Sequence, residues 1–215
     1  MRIAVALVAL TFVALSPLDA GAQEPPKPIG PLVIDVRGTL PQFPSDQQLA
    51  DSRGLLVAEL PGAGFGVDLG AHFYMFKWKA VTFGAGAQLT FGRSHGSEQT
   101  QDGIVIARAV TEHFTALTPQ ISFNFGSGAG WSYLSGGIGP AVWSIVPDGS
   151  EPQPPDEERL IEYNYGAGAR WFAKPHLAFT FDVRVHAIGR GTPYLGYPPS
   201  PFSRMFLLGA GVSLK

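Results

Sequence analysis

Residues 177–187 read LAFTFDVRVHA, and bulky apolar side chains alternate there with small or polar ones. Alternation with a period of two predicts a β-strand, because successive side chains of a strand point to opposite faces. Phe179 and Phe181 fall on the apolar face, whereas Thr180 and Asp182 fall on the other. This pattern is typical of a strand with lipid on one side and a narrow, hydrated lumen on the other.

Residues 1–22 are predicted to be a secretory signal peptide. Met1 and Arg2 give a basic start, and an apolar run too short to span a bilayer follows. Ala20–Ala22 forms a small-residue cleavage site before Gln23, which is therefore the expected first residue of the mature chain. The sequence contains no cysteine, so neither disulfides nor thiolate chemistry is expected.

A Pro-rich lead, residues 23–31, precedes eight segments with strand-like patterning, and we expect this lead to stay extended and unpaired. The segments lie at roughly 32–39, 64–76, 79–100, 103–126, 130–146, 160–172, 176–188 and 204–214. An even number of strands joined alternately by short and long connections is typical of bacterial outer-membrane barrels. Residues 32–215 are therefore predicted to form an all-β, eight-stranded antiparallel up-and-down transmembrane β-barrel, with short periplasmic turns and longer extracellular loops.

The third and fourth strands are predicted to continue beyond the membrane as a β-ribbon. Asp102-Gly103 is a type I′ hairpin turn signal at its tip. Pro119 lies within the fourth strand and lacks a backbone donor, so a bulge is expected there.

Aromatic residues cluster near both ends of the predicted strands and indicate two interfacial girdles. The short-turn girdle is predicted to contain Trp78, Trp131 and Trp171, accompanied by Phe76, Tyr133 and Phe172. The girdle at the long-loop end is predicted to contain Phe91, Phe114, Trp143 and Phe206.

Strand parity places a nearly balanced set of charged and polar side chains inside the barrel. They are Asp35, Arg37, Asp68, His72, Gln88, Gln120, Asn124, Glu162, Asn164, Arg170, Asp182, Arg184 and His186. An eight-stranded lumen is just wide enough for side chains, and unpaired buried charge is costly. A structural polar plug is the expected arrangement, and a narrow gated ion path is the alternative.

Ser144, Glu162 and His186 have inward parity near the outer ends of three strands, which allows a second alternative, a lipid-modifying barrel enzyme. No G-x-S-x-G or other local motif supports it, and the five histidines show no metal-ligand spacing. The sequence therefore predicts no catalytic, cofactor-binding or metal-binding residues. Nucleic acid is not an expected partner, because there is no basic patch and the net charge is -2.

The glycine-punctuated segments GFGVDLGAHF, TFGAGAQLTFG, NYGAGARWF and LLGAGVSLK resemble strands of the small OmpA/OmpX-type outer-membrane β-barrels, a broad architectural class. Gly209, Val212 and Leu214 resemble the C-terminal assembly signal of such proteins. Two positions depart from it: the chain ends on Lys215 rather than an aromatic residue, and Leu207 replaces a polar one. The resemblance implies location in the outer membrane, contact with its lipid, and insertion by the barrel-assembly machinery.

The expected function is therefore that of a non-enzymatic, monomeric outer-membrane protein with a structural role in the envelope. Loop-mediated contact with an extracellular partner is a further expectation. Residues 191–202, GTPYLGYPPSPF, offer Tyr194, Tyr197 and Phe202 on a Pro-stiffened frame for such contact. A soluble lipocalin-type ligand-binding barrel remains the alternative fold; it would place its apolar face around a cavity.

Overall fold

The structure, a computed structural model, describes residues 27–151, 153, 156–194 and 196–215. The predicted signal peptide and its cleavage site lie outside the described residues. In the part of the chain that is described, no helix is long and apolar enough to cross a membrane.

Eight of the strands within the described residues close into one antiparallel barrel. The barrel strands are β1 (Leu32–Gln42), β2 (Gly64–Trp78), β3 (Val81–Gly96), β6 (Val110–Ser127), β7 (Gly130–Pro147), β8 (Glu157–Lys174), β9 (Leu177–Ile188) and β10 (Ser203–Leu214). They pair in the ring order β1-β10-β9-β8-β7-β6-β3-β2. The remaining two, β4 (Gln99–Gln101) and β5 (Ile104–Ala107), form a separate hairpin. The predicted eight-stranded up-and-down barrel is confirmed.

The ring closes between the first and last strands of the chain. Ile34 of β1 lies opposite Leu214 of β10, and Gln42 lies opposite Phe206 at the other end of the same ladder. Closure pairs the first and last strands of the chain with each other, so the barrel has no free sheet edge to which another chain could add a strand.

Large apolar side chains cover the outer wall of the barrel. Examples with at least half of the side chain exposed come from four different strands: Phe73, Ile121, Leu134 and Phe179. Contiguous apolar surface of this extent is unusual for a soluble protein and is typical of a wall that faces lipid. The band ends toward the long loops, where the outward positions of β3 become Arg93 and His95.

The aromatic girdles are only partly as predicted. Trp78 and Trp171 are exposed beside the short turns, at 62% and 59%, as expected. Trp131, Tyr133, Trp143 and Phe114 instead point into the barrel and are at most 3% exposed. Their placement in girdles is wrong because these rings close the two ends of the lumen, where the interior itself is apolar.

The predicted ribbon beyond the third and fourth barrel strands is confirmed as the β4–β5 hairpin. Its tip residues Asp102 and Gly103 have φ angles of 51° and 79°. Positive φ at both central residues is the signature of a type I′ turn, which glycine and aspartate tolerate better than most residues.

The bulge expected at Pro119 is absent. Ala116 of β6 faces Ala141 of β7, and Gln120 faces Gly137, so the register is the same on both sides of the proline and no residue is inserted. The β6–β7 ladder is interrupted between these pairs, over residues 117–119 and 138–140, and each of the two gaps contains a proline, Pro119 and Pro140. Neither proline can donate a backbone hydrogen bond, and the strands tolerate the gap without shifting.

We predict that Phe181→Arg impairs folding far more than Phe65→Arg. Phe181 is 45% exposed within the apolar band, where an arginine costs roughly 2–4 kcal/mol near the bilayer midplane. Phe65 is 77% exposed but lies opposite Arg93, above the band. Folding yields into vesicles, read by heat-modifiable gel migration, measure the difference; equal yields would contradict the assigned band.

Candidate functional site

The lumen holds every one of the charged and polar side chains that strand parity placed there. All are at most 5% exposed: Asp35, Arg37, Asp68, His72, Gln88, Gln120, Asn124, Glu162, Asn164, Arg170, Asp182, Arg184 and His186. The alternation of the strands was therefore sufficient to locate the interior residues, and it confirms that this polar face is the inside of the barrel.

Asp35 on β1 is the centre of the first group of lumen contacts. The Nε of Arg170 donates to its Oδ1 at 3.0 Å, and the hydroxyl of Ser213 donates to the same oxygen at 2.5 Å. The Nη1 of Arg37 and the Nε2 of His72 lie 3.4 Å and 3.3 Å from its Oδ2. One carboxylate thus joins side chains from β1, β2, β8 and β10.

Arg184 on β9 is the centre of the second group. Its Nε donates to Asp182 at 3.0 Å, and its two terminal nitrogens donate to Asn164 at 2.9 Å and Ser135 at 2.7 Å. An arginine with several fixed acceptors is the arrangement in which a buried guanidinium is tolerated.

Tyr133 on β7 joins the two groups. Its hydroxyl donates to Asp182 at 2.6 Å and accepts from the Nη1 of Arg37 at 3.3 Å. The guanidinium of Arg170 lies 4.2 Å from the centre of its ring. The ring occupies space that Gly168 leaves open, since a Cβ built on Gly168 would collide with the phenol. At this inward glycine, the absent side chain makes room for a neighbouring side chain.

An aromatic cluster closes the inner mouth, the end of the barrel with the short turns. Ile29, Val33, Tyr74, Trp131 and Tyr133 pack there, and each is at most 7% exposed. Tyr74 and Trp131 meet edge to face, with their ring centres 5.6 Å apart.

The described part of the Pro-rich lead crosses this inner mouth, so the expectation that the lead is unpaired is wrong. The amide of Gly128 donates to the carbonyl of Lys27 at 2.7 Å, and the amide of Tyr74 donates to that of Pro31 at 2.8 Å. Gly128 lies in the turn before β7, which stands opposite β1 in the ring. The ammonium of Lys215 donates to the carbonyl of Gly128 at 2.8 Å as well.

Residues 43–63, here called loop 1, close the outer mouth. They contain a short helix, α1 (Gln47–Arg53), which begins where the Asp46 side chain accepts from the amide of Leu49 at 3.0 Å. Gly54 ends it in the left-handed conformation, with φ 64°. Leu49 and Ala50 are fully buried and pack in one cluster with barrel residues that include Phe114, Trp143, Ile145 and Met205.

Two ion pairs hold loop 1 in place, one to β8 and one to the segment between β5 and β6. The Nη2 of Arg53 lies 2.8 Å from Oε2 of Glu158, and the Nε of Arg108 lies 2.7 Å from Oε1 of Glu59. The hydrogen bonds from Arg108 lower the pKa of the Glu59 carboxyl to about 2, although burial opposes the shift. Glu59 is therefore ionised, and its pairing intact, throughout the neutral range.

The structure brings together two of the three residues that suggested an enzyme. Nδ1 of His186 lies 2.6 Å from Oε2 of Glu162, and both side chains are fully buried in the lumen. Ser144 faces the outside, because its neighbours Trp143 and Ile145 are the buried residues of that part of β7. The inward parity given to Ser144 is wrong, since it assumed that bulky apolar residues always face lipid.

Few groups in the lumen suggest a ligand. Within the described residues, no cluster of three or more His, Asp or Glu side chains is arranged to hold a metal ion. The Nε2 of His186 has no hydrogen-bond partner among the described residues, but Phe114 packs against its ring, with the ring centres 5.5 Å apart.

Among solved structures, the crystal structure of Neisserial surface protein A (NspA) matches the chain with a TM-score of 0.54 at 13% identity. The match covers 86% of this chain and 96% of that one. This chain has the fold of the small eight-stranded outer-membrane β-barrels. The OmpA/OmpX-type resemblance inferred from the strands is confirmed at the level of fold.

Two further outer-membrane barrels match this small barrel less closely. Ail of Yersinia pestis, crystallised in complex with the heparin analogue sucrose octasulfate, has a TM-score of 0.49 at 14% identity over 86% of this chain and 99% of that one. OprG from Pseudomonas aeruginosa has a TM-score of 0.42 at 11% identity over 87% and 97%. Neither a protein-family model nor a curated protein sequence matches the chain.

We predict that Asp35→Asn destabilises the barrel strongly, whereas Asp148→Asn has little effect. Removing one partner of a buried ion pair leaves the other charge uncompensated and costs roughly 3–5 kcal/mol. Asp148 is a matched control, because its pairing with His95 lies on the surface, with both side chains more than 40% exposed. Urea unfolding in vesicles measures both variants; a small effect of Asp35→Asn would mean that the lumen is hydrated.

We predict that acid releases loop 1. The pKa of Glu59 in the folded protein, about 2, lies below its ordinary value of 4.5. The stabilisation from ionised Glu59 is therefore complete above pH 4.5 and is lost as the pH falls toward 2. Hydrogen exchange of residues 47–60, corrected for intrinsic rates, should show protection falling across this window.

Glu59→Gln should show reduced protection of loop 1 already at neutral pH, because the charge that binds Arg108 is gone. Glu98→Gln is the control, since Glu98 is exposed and forms no ion pair within the described residues. Equal protection of loop 1 in both variants would rule out Glu59 as its anchor.

Proposed function

We propose that the protein is a monomeric outer-membrane barrel that is closed to solutes and has a structural role in the envelope. The observation that carries this proposal is the filling of the lumen along its length. Paired charges occupy the middle, an aromatic cluster occupies the inner mouth, and loop 1 with its apolar cluster occupies the outer mouth. A filled interior of this kind makes the barrel rigid and leaves no channel for ions or solutes.

Location in the outer membrane is supported by the wall of the barrel and the charges at its ends. The apolar band would contact lipid, and Lys77, Lys79 and Lys174 lie at the short-turn end. The predicted signal peptide, residues 1–22, would direct export, and the barrel-assembly machinery would read the last strand, β10. A ring without an open edge favours the monomer.

A non-enzymatic role is supported by the surroundings of the Glu162–His186 pair, where no nucleophile lies beside the imidazole among the described residues. An acyl-transfer site needs a nucleophile beside the imidazole, and Ser144 faces away from it. Thr118 donates to Glu162 rather than to His186, so its hydroxyl is not activated by the histidine. The pair serves the polar plug.

Contact with an extracellular partner is a second candidate function, and the β4–β5 hairpin favours it. Ile104, Val105 and Ile106 are consecutive and 68%, 49% and 46% exposed, above the end of the apolar band. The loop at 191–202 also exposes Tyr194, Tyr197 and Phe202, by 41%, 41% and 47%. Both surfaces project from the long-loop end, where a partner outside the cell would reach them.

We predict no sustained large conductance in planar bilayers. The paired lumen charges and both apolar end clusters leave no continuous aqueous path, so clean protein should give at most rare, small openings. Porin-like single-channel steps would overturn the closed-barrel proposal. Recovery of the mature protein in the soluble fraction, rather than with outer membranes, would overturn its location.

A further inference from the structure

A cleft of about 300 Å³ opens at the outer mouth, between α1, the start of β8 and the loop after β9. Ser52 lies on one side of it, Glu157 and Arg159 on another, and Arg190 and Tyr194 on the third. This volume is at the small end of the range for ligand sites, about 300–1,000 Å³. It accommodates one sugar ring with a substituent, but not a folded partner.

The cleft carries more positive charge than its own carboxylates neutralise. Glu158, which lines the cleft, is paired with Arg53 at 2.8 Å. Arg159 and Arg190 are exposed and form no ion pair within the described residues. Among the residues that line the cleft, Glu157 is the carboxylate left to oppose these two guanidinium groups, while Asp51 lies beside Arg190 in the adjoining groove. The lining itself therefore favours an anionic ligand, and a guanidinium binds phosphate or carboxylate oxygens in a bidentate manner.

Two tyrosines give the cleft an aromatic side that is held in place. The backbones of Tyr194 and Tyr197 exchange hydrogen bonds of 3.3 Å and 2.8 Å, which hold these two residues side by side. The ring of Tyr197 packs against Gly54 so closely that a Cβ there would lie 2.7 Å from Cε1. Fixed aromatic rings offer contact area at a small entropic cost, and their faces suit the C–H groups of a sugar ring.

The height of the cleft places it beside the membrane surface. Arg159 has the same outward parity as Ile161 and Tyr163, each of which is 52% exposed in the apolar wall. The guanidinium therefore lies just above the lipid-facing band, at the level where the headgroups of the outer leaflet would lie. This step rests on the proposed location in the outer membrane.

We propose that this cleft binds a phosphorylated sugar, with Arg159 and Arg190 on the phosphate, Tyr194 and Tyr197 against the ring, and Glu157 accepting from its hydroxyls. The phosphosugar has two possible sources with the same chemistry, the lipopolysaccharide of the surrounding leaflet and a soluble phosphorylated glycan. Either would fasten the loops at the outer mouth to one another, because the ligand bridges β8 and the loop after β9.

The test uses the mature barrel folded in a zwitterionic detergent, where binding does not depend on cellular location. Glucose 6-phosphate, glucose and inorganic phosphate are titrated by calorimetry at low salt. Glucose 6-phosphate should bind at least about tenfold more tightly than either fragment, since only it uses both the arginines and the tyrosines. Arg159→Gln combined with Arg190→Gln should weaken it by about tenfold or more, and heat-modifiable migration checks that this variant is folded.

Arg93→Gln is the matched control, because Arg93 is an exposed outward arginine above the band on β3, away from the cleft. It should bind glucose 6-phosphate as the native barrel does. Tyr194→Leu should reduce the ratio of the affinities for glucose 6-phosphate and inorganic phosphate, because the aromatic contact with the sugar ring is lost. No saturable binding by the native barrel, or equal binding by the double arginine variant, would overturn the proposal.

Phosphatidylcholine vesicles with and without lipopolysaccharide distinguish the two sources. Loss of glucose 6-phosphate binding when lipopolysaccharide is present identifies the membrane glycolipid as the occupant. Unchanged binding identifies a soluble glycan. A barrel that binds in detergent but fails to fractionate with outer membranes would refute the proposed location and leave the phosphosugar site standing.

Discussion

Charges inside an eight-stranded lumen have almost no water to solvate them, and this constraint explains most of the interior. Asp35 is the clearest case, because it neutralises Arg170 and lies near Arg37 and His72 at once. Apolar residues of equal volume could fill such a space without loss of stability. The ionic groups are nevertheless mutually dependent, since each becomes a costly unpaired charge as soon as its partner is removed. The network therefore joins strands that are not neighbours in the ring, such as β1 and β8.

The apolar clusters at the two mouths have a related role. They separate the charged middle of the lumen from bulk water, so that the ion pairs act at a lower effective dielectric constant. Loop 1 reaches this position because α1 packs Leu49 and Ala50 against Trp143 and Ile145, while the ion pairs of the buried Arg53 and Glu59 hold the loop in place. The loop is thus part of the core of the protein rather than a variable surface segment.

Much of this structure is readable from the sequence, because the period of two in the strands separates the wall from the lumen. The alternation does not predict which face is which at the two ends of the lumen, because the inward side chains there are apolar as well. Trp143 and Trp131 face inward because the lumen ends are apolar. The sequence of β7 does not indicate this orientation, because bulky apolar side chains occur on both of its faces. Phe114 was recoverable, since it shares the parity of Gln120 and Asn124 on the same strand.

Other features were encoded locally or not at all. Asp46 and Gly54 mark the start and end of α1, so the helix in loop 1 had a capping signature. The contact between Asp35 and Arg170 joins residues 135 positions apart. No local pattern specifies it, because parity predicts which residues face the lumen but not which of them meet across it.

A double-mutant cycle on Asp35→Asn and Arg170→Gln tests the central claim most directly, with unfolding measured in vesicles. If Asp35 and Arg170 depend on each other inside a dry lumen, the double variant should be destabilised by less than the sum of the single variants. The expected coupling is at least ~1.5 kcal/mol. Additive effects, within ~0.5 kcal/mol, would show that water solvates these charges and would contradict the closed interior.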